Sequence, residues 1–133
     1  MRNAFGAIGL AALAGLVAVP SAGAVDASLK KSLGKLDPQT RFVQVCDLAA
    51  MDKLAKDKRR FRPEHAMIDY LARPKQTGDT LEGKGAVFRS GGDWYHFSFR
   101  CTTSDDRFAV LSFRYEVGAK ISRDKWDELG LFP

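Results

Sequence analysis

Cysteine and histidine are scarce: two of each stand in a chain of 133 residues. No Cys-x-x-Cys or His-x-x-x-His pair occurs, so the sequence offers neither a thioredoxin-type redox motif nor a zinc motif, and no metal is expected. A Gly-x-Ser-x-Gly nucleophile elbow is missing too. Gly83-x-Gly85 lacks both the third glycine and a following helix, which leaves a dinucleotide loop without support. The pattern therefore names no catalytic residue and no cofactor. Recognised RNA- and DNA-binding motifs are also absent, so the excess of positive charge does not by itself argue for nucleic acid.

Charge of one sign is the next imbalance. Lys plus Arg number 21 against 16 Asp plus Glu. With 45% hydrophobic and 28% charged residues, the composition fits neither a collagen-like nor a low-complexity chain, and there is enough apolar side chain to offset the entropy of ordering one small domain. Beyond the first twenty positions no long uncharged run remains. Within them, Arg2 precedes the uncharged stretch Ala4 to Val19 and Pro20 breaks it; just beyond, Ala22 and Ala24 supply small residues. Those are the three parts of a secretory signal peptide. Residues 1–24 are expected to be a leader cleaved after Ala24, with 25–133 as a single domain and no transmembrane segment after cleavage. A retained anchor is the rival reading, but the run is short for a hydrocarbon core of about 30 Å. The address this implies is the periplasm, where an adjacent cysteine pair closes.

Cys46 and Cys101 allow one intramolecular connectivity. A structural bridge competes with a reactive thiol, and the missing Cys-x-x-Cys favours the bridge. Residues Asp26 to Leu36 read as a short helix or ordered lead-in. Asp37 then stands as an N-cap with Pro38 at the first helical position, and a helix is expected from Pro38 to Asp57. Its apolar positions Phe42, Val43, Cys46, Ala49, Ala50 and Leu54 recur at spacings of three and four. Residues His65 to Arg73 fit either period; a strand is expected, ended by a turn at Pro74 to Asp79.

Two further strands, Leu81 to Arg89 and Trp94 to Thr102, flank a hairpin turn at Gly91-Gly92 that sets Phe88 opposite Tyr95 and Ala86 opposite Phe97. A third, Phe108 to Val117, is expected to pair through a turn around Asp105, with Phe99 opposite Leu111, Phe97 opposite Phe113 and Tyr95 opposite Tyr115. One parity of this meander is apolar and includes Cys101. The helix stripe holding Cys46 needs that face, so a bridge between the two is geometrically consistent. At the C-terminus Ser122 is a candidate cap, Ile121 a staple on Trp126, and Gly130 a stop.

Two surfaces are candidate sites. The run Lys56, Lys58, Arg59, Arg60 and Arg62 is the strongest local charge bias; it is either a solvated helix end or a site for an anionic lipid headgroup or glycan. The outer parity of the sheet carries Arg89, Trp94, His96 and Arg114, and in the expected register His96 opposes Arg114. Ordinary cross-strand pairing competes there with a platform for an anionic or sugar-bearing ligand, and the segment from Ile121 to Phe132, whose apolar residues need burial, competes for Trp94.

Leu36-Asp37-Pro38-Gln39-Thr40-Arg41 with Gln44, Cys46 and Asp47, then Gly85 to Ser90, Trp94-Tyr95, Phe99 and Cys101, and finally Val117-Gly118, Ile121, Arg123 and Trp126, resemble the small exported bacterial proteins grouped as domain of unknown function 930. That resemblance covers nearly the whole chain after the leader. It implies export in a Gram-negative bacterium and a structural role for both cysteines, but no activity, and the basic run lies outside its pattern. The reading is an α+β domain in which an N-terminal helix packs on an antiparallel meander of three to four strands with a short C-terminal helix, loosely like a cystatin roll. Its expected role is a non-enzymatic periplasmic binding or interaction module, whose partner is an envelope protein, an anionic lipid headgroup or a glycan. A small envelope enzyme or enzyme inhibitor is the alternative.

Overall fold

A computed structural model describes residues 22–133, so most of the expected leader over residues 1–24 lies outside the described residues. Helix α1 runs Ala22–Leu33 and α2 runs Pro38–Ala55. The strands are β1 (Pro63–Met67), β2 (Lys75–Thr77), β3 (Thr80–Ser90), β4 (Asp93–Thr103) and β5 (Val110–Lys120). A 3-10 turn at Arg123–Lys125 leads into a one-turn helix α3, Trp126–Leu129. The architecture is α+β, with one antiparallel sheet in the order β1-β3-β4-β5 and β2 paired to the start of β3. No helix among the described residues is long and apolar enough to cross a membrane.

Helix α2 starts where its sequence says it should. Asp37 is extended, and its carboxylate accepts the otherwise orphaned N–H groups of Gln39 and Thr40, while Pro38 occupies a position that needs no donor. The helix buries Phe42, Val45, Cys46, Ala50 and Leu54. The stripe is thus rotated from the expected one: Val45 faces the core, whereas Val43 and Ala49 are only half-buried at its margin. On the apolar face of the sheet α2 reaches both edge strands, β1 and β5. Between them Cys46 is joined to Cys101 of β4, closing a separation of 55 residues with the Cα atoms 6.1 Å apart. Phe88, Phe97 and Phe99 complete that core.

The β3–β4 hairpin has the expected register, with Phe88 opposite Tyr95 and Ala86 opposite Phe97. Gly91 and Gly92 take φ of 58° and 81°, the positive angles that a two-residue turn requires. The β4–β5 register differs from expectation by four residues: Phe97 faces Val117, Phe99 faces Tyr115 and Cys101 faces Phe113. Its cause is the loop between them. Instead of a tight turn at Asp105, Ser104 to Ala109 form a loop closed by side chains, where Asp106 accepts the Phe108 N–H and the Ser104 hydroxyl, and Ala109 donates to Ser104. Because the offset is even, Phe113, Tyr115 and Val117 keep the core face; a second shift at Thr102/Thr103 turns Val110 onto that face and leaves Leu111, expected opposite Phe99, 68% exposed.

The expected strand from His65 to Arg73 is shorter and starts earlier. β1 ends at Met67, since Ile68 turns into the core with its N–H taken by Asp47 of α2. The chain then crosses back at Leu71, whose N–H bonds the Gly85 carbonyl, and forms β2, a strand the sequence pattern did not announce.

On the opposite face of the sheet Val87, Trp94, Ile121, Trp126 and Leu131 form a second apolar cluster. Ser122 does not cap through its side chain; its hydroxyl donates to Asp124. Ile121 and Trp126 do pack together, and Gly130 stops α3 with φ of 70°.

Candidate functional site

The C-terminal cover has a direct consequence for the outer face of the sheet. Trp94 is fully buried, its indole N–H donating to the Phe132 carbonyl at 2.9 Å and its ring meeting Phe132 edge-on. Arg89 lies alongside, bonded to the same carbonyl and 3.2 Å from the Glu64 carboxylate. His96 and Arg114 are not brought together: Arg114 faces Arg100 across the sheet, and the His96 backbone packs against Gly118. This corrects the expected platform. The apolar segment after Ile121 needs burial, and the indole is the largest apolar surface open to it. What remains open near Arg114 is a shallow depression of about 380 Å³, edged by Glu82, Arg100 and Glu116.

The basic run is exposed throughout, and its members have different environments. Lys56 pairs with Asp52 one turn back at 2.8 Å. Arg59 forks onto Asp57, which also accepts the Tyr115 hydroxyl, and these donors hold the Asp57 carboxyl well below the usual carboxylate range. Lys58, Arg60 and Arg62 make no ion pair among the described residues. Arg60 has φ of 60°, and the Arg62 backbone N–H donates to Ser90.

A cleft of about 1170 Å³ opens between the N-terminal half of α2 and the connection from β1 to β2. From α2 it takes Gln39, Thr40, Gln44 and Asp47; from the connection, Asp69, Tyr70 and Arg73; Val43, Met67 and Leu81 supply apolar wall. The helical residues fall at offsets of one, five and eight from Gln39, close to the 3.6 period that places them along one side.

Three bonds fix the far wall. The Asp47 Oδ1 atom accepts the Ile68 N–H at 2.9 Å. Leu71 bonds β3 at Gly85, where a Cβ would lie 2.5 Å from the Ala72 nitrogen, so glycine is what lets the wall approach. The Tyr70 hydroxyl donates to the Gly130 carbonyl at 2.7 Å, which holds the ring by its far end.

Asp47 is the chemically distinctive group. Desolvation raises its carboxyl from 3.8 to about 7; the Ile68 N–H opposes this and Asp69 adds to it. Its Oδ2 atom has no hydrogen-bond partner among the described residues. The charged groups lining the cleft are Asp47, Asp69 and Arg73, so it is not basic although the chain carries a net +5. Asp47 had one signal in the sequence, an acid directly after the buried Cys46 at the rim of the apolar stripe. Tyr70 and Arg73 had none, because their place depends on a connection that periodicity read as strand. No group of three or more possible metal ligands occurs among the described residues.

Fold and site together define a disulfide-tied helix-on-sheet domain with a polar cleft beside its helix. The chain belongs to the family described as Domain of Unknown Function (DUF930), whose model matches residues 33–131. No curated protein and no solved structure matches it.

Proposed function

We propose that the protein is an exported, non-enzymatic binding module of the cell envelope that holds a glycan in the Asp47 cleft. The observation that carries this reading is the cleft itself: an open, pre-formed concavity whose apolar walls bear several convergent amide, hydroxyl and carboxyl groups, on a wall fixed at three points. Gln39, Thr40, Gln44 and Gln76 offer neutral donors and acceptors of the kind that read hydroxyls, and Tyr70, 37% exposed, offers a ring. The leader-like start of the sequence supports export. The unpaired cations Lys58, Arg60 and Arg62 are suited to bring the chain to anionic envelope polymer, an attraction that weakens as salt shortens the Debye length from about 10 Å at 0.1 M.

Titration of the labelled protein with envelope oligosaccharides, followed by amide NMR shifts, tests the reading. Shifts centred on Gln44, Asp47 and Tyr70 are expected, with no product formed. Shifts confined to Lys58 to Arg62 would place binding on the basic run instead, and turnover would make the domain an enzyme. N-terminal mass analysis of the cell-derived protein tests export: a chain still starting at Met1 in the cytoplasm overturns that half.

A further inference from the structure

We propose that the cleft selects amino-sugar glycans, seating the sugar's ammonium group against the Oδ2 oxygen of Asp47. This rests on the cleft being a glycan site. Its own basis is the distribution of charge and hydrogen bonds within the cleft. One Asp47 oxygen is used to hold the Ile68 N–H, which orients the carboxylate, and the other is left without a partner among the described residues. A carboxylate fixed in this way is an acceptor for a charged donor, and charge-assisted bonds are about twice as strong as neutral ones.

The surroundings match a sugar body better than a simple cation. Gln44 and Gln39 lie along the same helix, and the Tyr70 ring is pinned through its hydroxyl on the opposite wall. A glycan anion suits the cleft less well: of its charged groups two are carboxylates and only Arg73 is a cation.

Ammonium binding needs Asp47 ionised, and burial favours its protonated form. The other charged or titratable groups facing it are Asp69, Tyr70 and Arg73, all from the connection; the remaining polar lining from α2 and β2 is neutral. Lowering pH from 7 to 5 only adds charge to the sugar amine. A loss of affinity over that window therefore reports protonation on the protein.

The test is calorimetric titration of the purified full chain with a glucosamine tetrasaccharide and with its N-acetylated counterpart, at pH 7 and pH 5. The expected result is binding of the amine form roughly tenfold tighter than the acetylated form at pH 7, with that preference lost at pH 5. Asp47→Asn keeps an acceptor for Ile68 while removing the charge, and should bind both sugars equally at both pH values. Asp69→Asn should retain the preference at pH 7 and move its loss to lower pH, because Asp69 no longer raises the Asp47 carboxyl. Equal affinity of the wild type for the two sugars, with shifts in the cleft, overturns the ammonium seat and leaves the glycan reading standing. Binding of neither sugar overturns both, and so does tighter binding of a lysine-rich peptide at the same residues.

Discussion

At Asp47 a proton and a fold are linked. The carboxyl, ordinarily at 3.8, is raised to about 7 in the folded chain, chiefly by desolvation. The folded state therefore holds the proton more tightly than the unfolded one. Its contribution to stability is complete below about pH 4 and is lost as pH rises through 7. Each tenfold gain in proton affinity is worth about 1.4 kcal/mol, and water in the open cleft reduces the total, so a loss of about 2 kcal/mol between pH 4 and pH 8 is expected from this group. Asp47→Asn should remove that component, keeping the Ile68 bond while leaving nothing to ionise. Urea midpoints measured across the range check it: the variant should gain on the wild type as pH rises, and parallel profiles would show that Asp47 ionises freely.

Between elements, the connection from β1 to β2 decides whether there is a cleft at all, and Gly85 decides how closely that connection lies. A methyl group there would meet the Ala72 nitrogen at 2.5 Å and the Ala72 Cβ at 2.7 Å. Neither atom is the tip of a flexible side chain, so Gly85→Ala should push the wall outward, cost about 1 to 3 kcal/mol and weaken any cleft ligand. An unchanged melting temperature with unchanged amide shifts at Tyr70 would contradict this. The helix-to-sheet bond is a second inter-element constraint. Its loop of 55 residues makes removal of Cys46 or Cys101 cost on the order of 2 to 5 kcal/mol. Intact mass before and after reduction, with unfolding curves of Cys101→Ala, measures both the bond and its worth. The sequence showed some of these elements clearly for physical reasons. Asp37-Pro38 and Gly91-Gly92 are local signals whose chemistry acts within a few residues, so helix α2 and the β3–β4 register could be read directly. The β4–β5 register and the β1–β2 connection could not. One depends on hydrogen bonds accepted by Asp106 from Ser104 and Phe108 that shape a loop without glycine, and the other on Asp47 and Gly85, which lie far from Ile68 and Ala72 in sequence. Asp47 was visible only as part of a pattern; the cleft that gives it meaning was not.

Across the whole molecule the sheet carries a cover on each face, α2 on one side and, over Val87 and Trp94 on the other, the segment from Ile121 to Phe132. The alternation of the strands announced the first cover, because Cys101 and the phenylalanines of β4 share a parity with an obvious helical partner. The second it leaves open, because the apolar residues from Ile121 to Phe132 compete with solvent for Trp94. A tryptophan on the outer parity is read as exposed unless the chain is known to return, and here the return is made by Ile121, Trp126 and Leu131, all buried around Trp94. Trp94 is accordingly a core residue. Truncating it would open a large cavity, strip the Phe132 carbonyl of its indole donor and leave Phe132 without its edge-on partner. Trp94→Ala should cost about 3 to 5 kcal/mol, the range for removing a buried aromatic side chain. Phe132 is itself 48% exposed, so Phe132→Ala should cost less, keep its backbone carbonyl bond to the indole, and shift Trp94 emission to the red as water gains access. Denaturant unfolding and tryptophan fluorescence of both variants decide the matter. A Trp94→Ala protein within about 1 kcal/mol of wild type would mean that the C-terminal segment is not held on this face, and that the outer sheet is open after all.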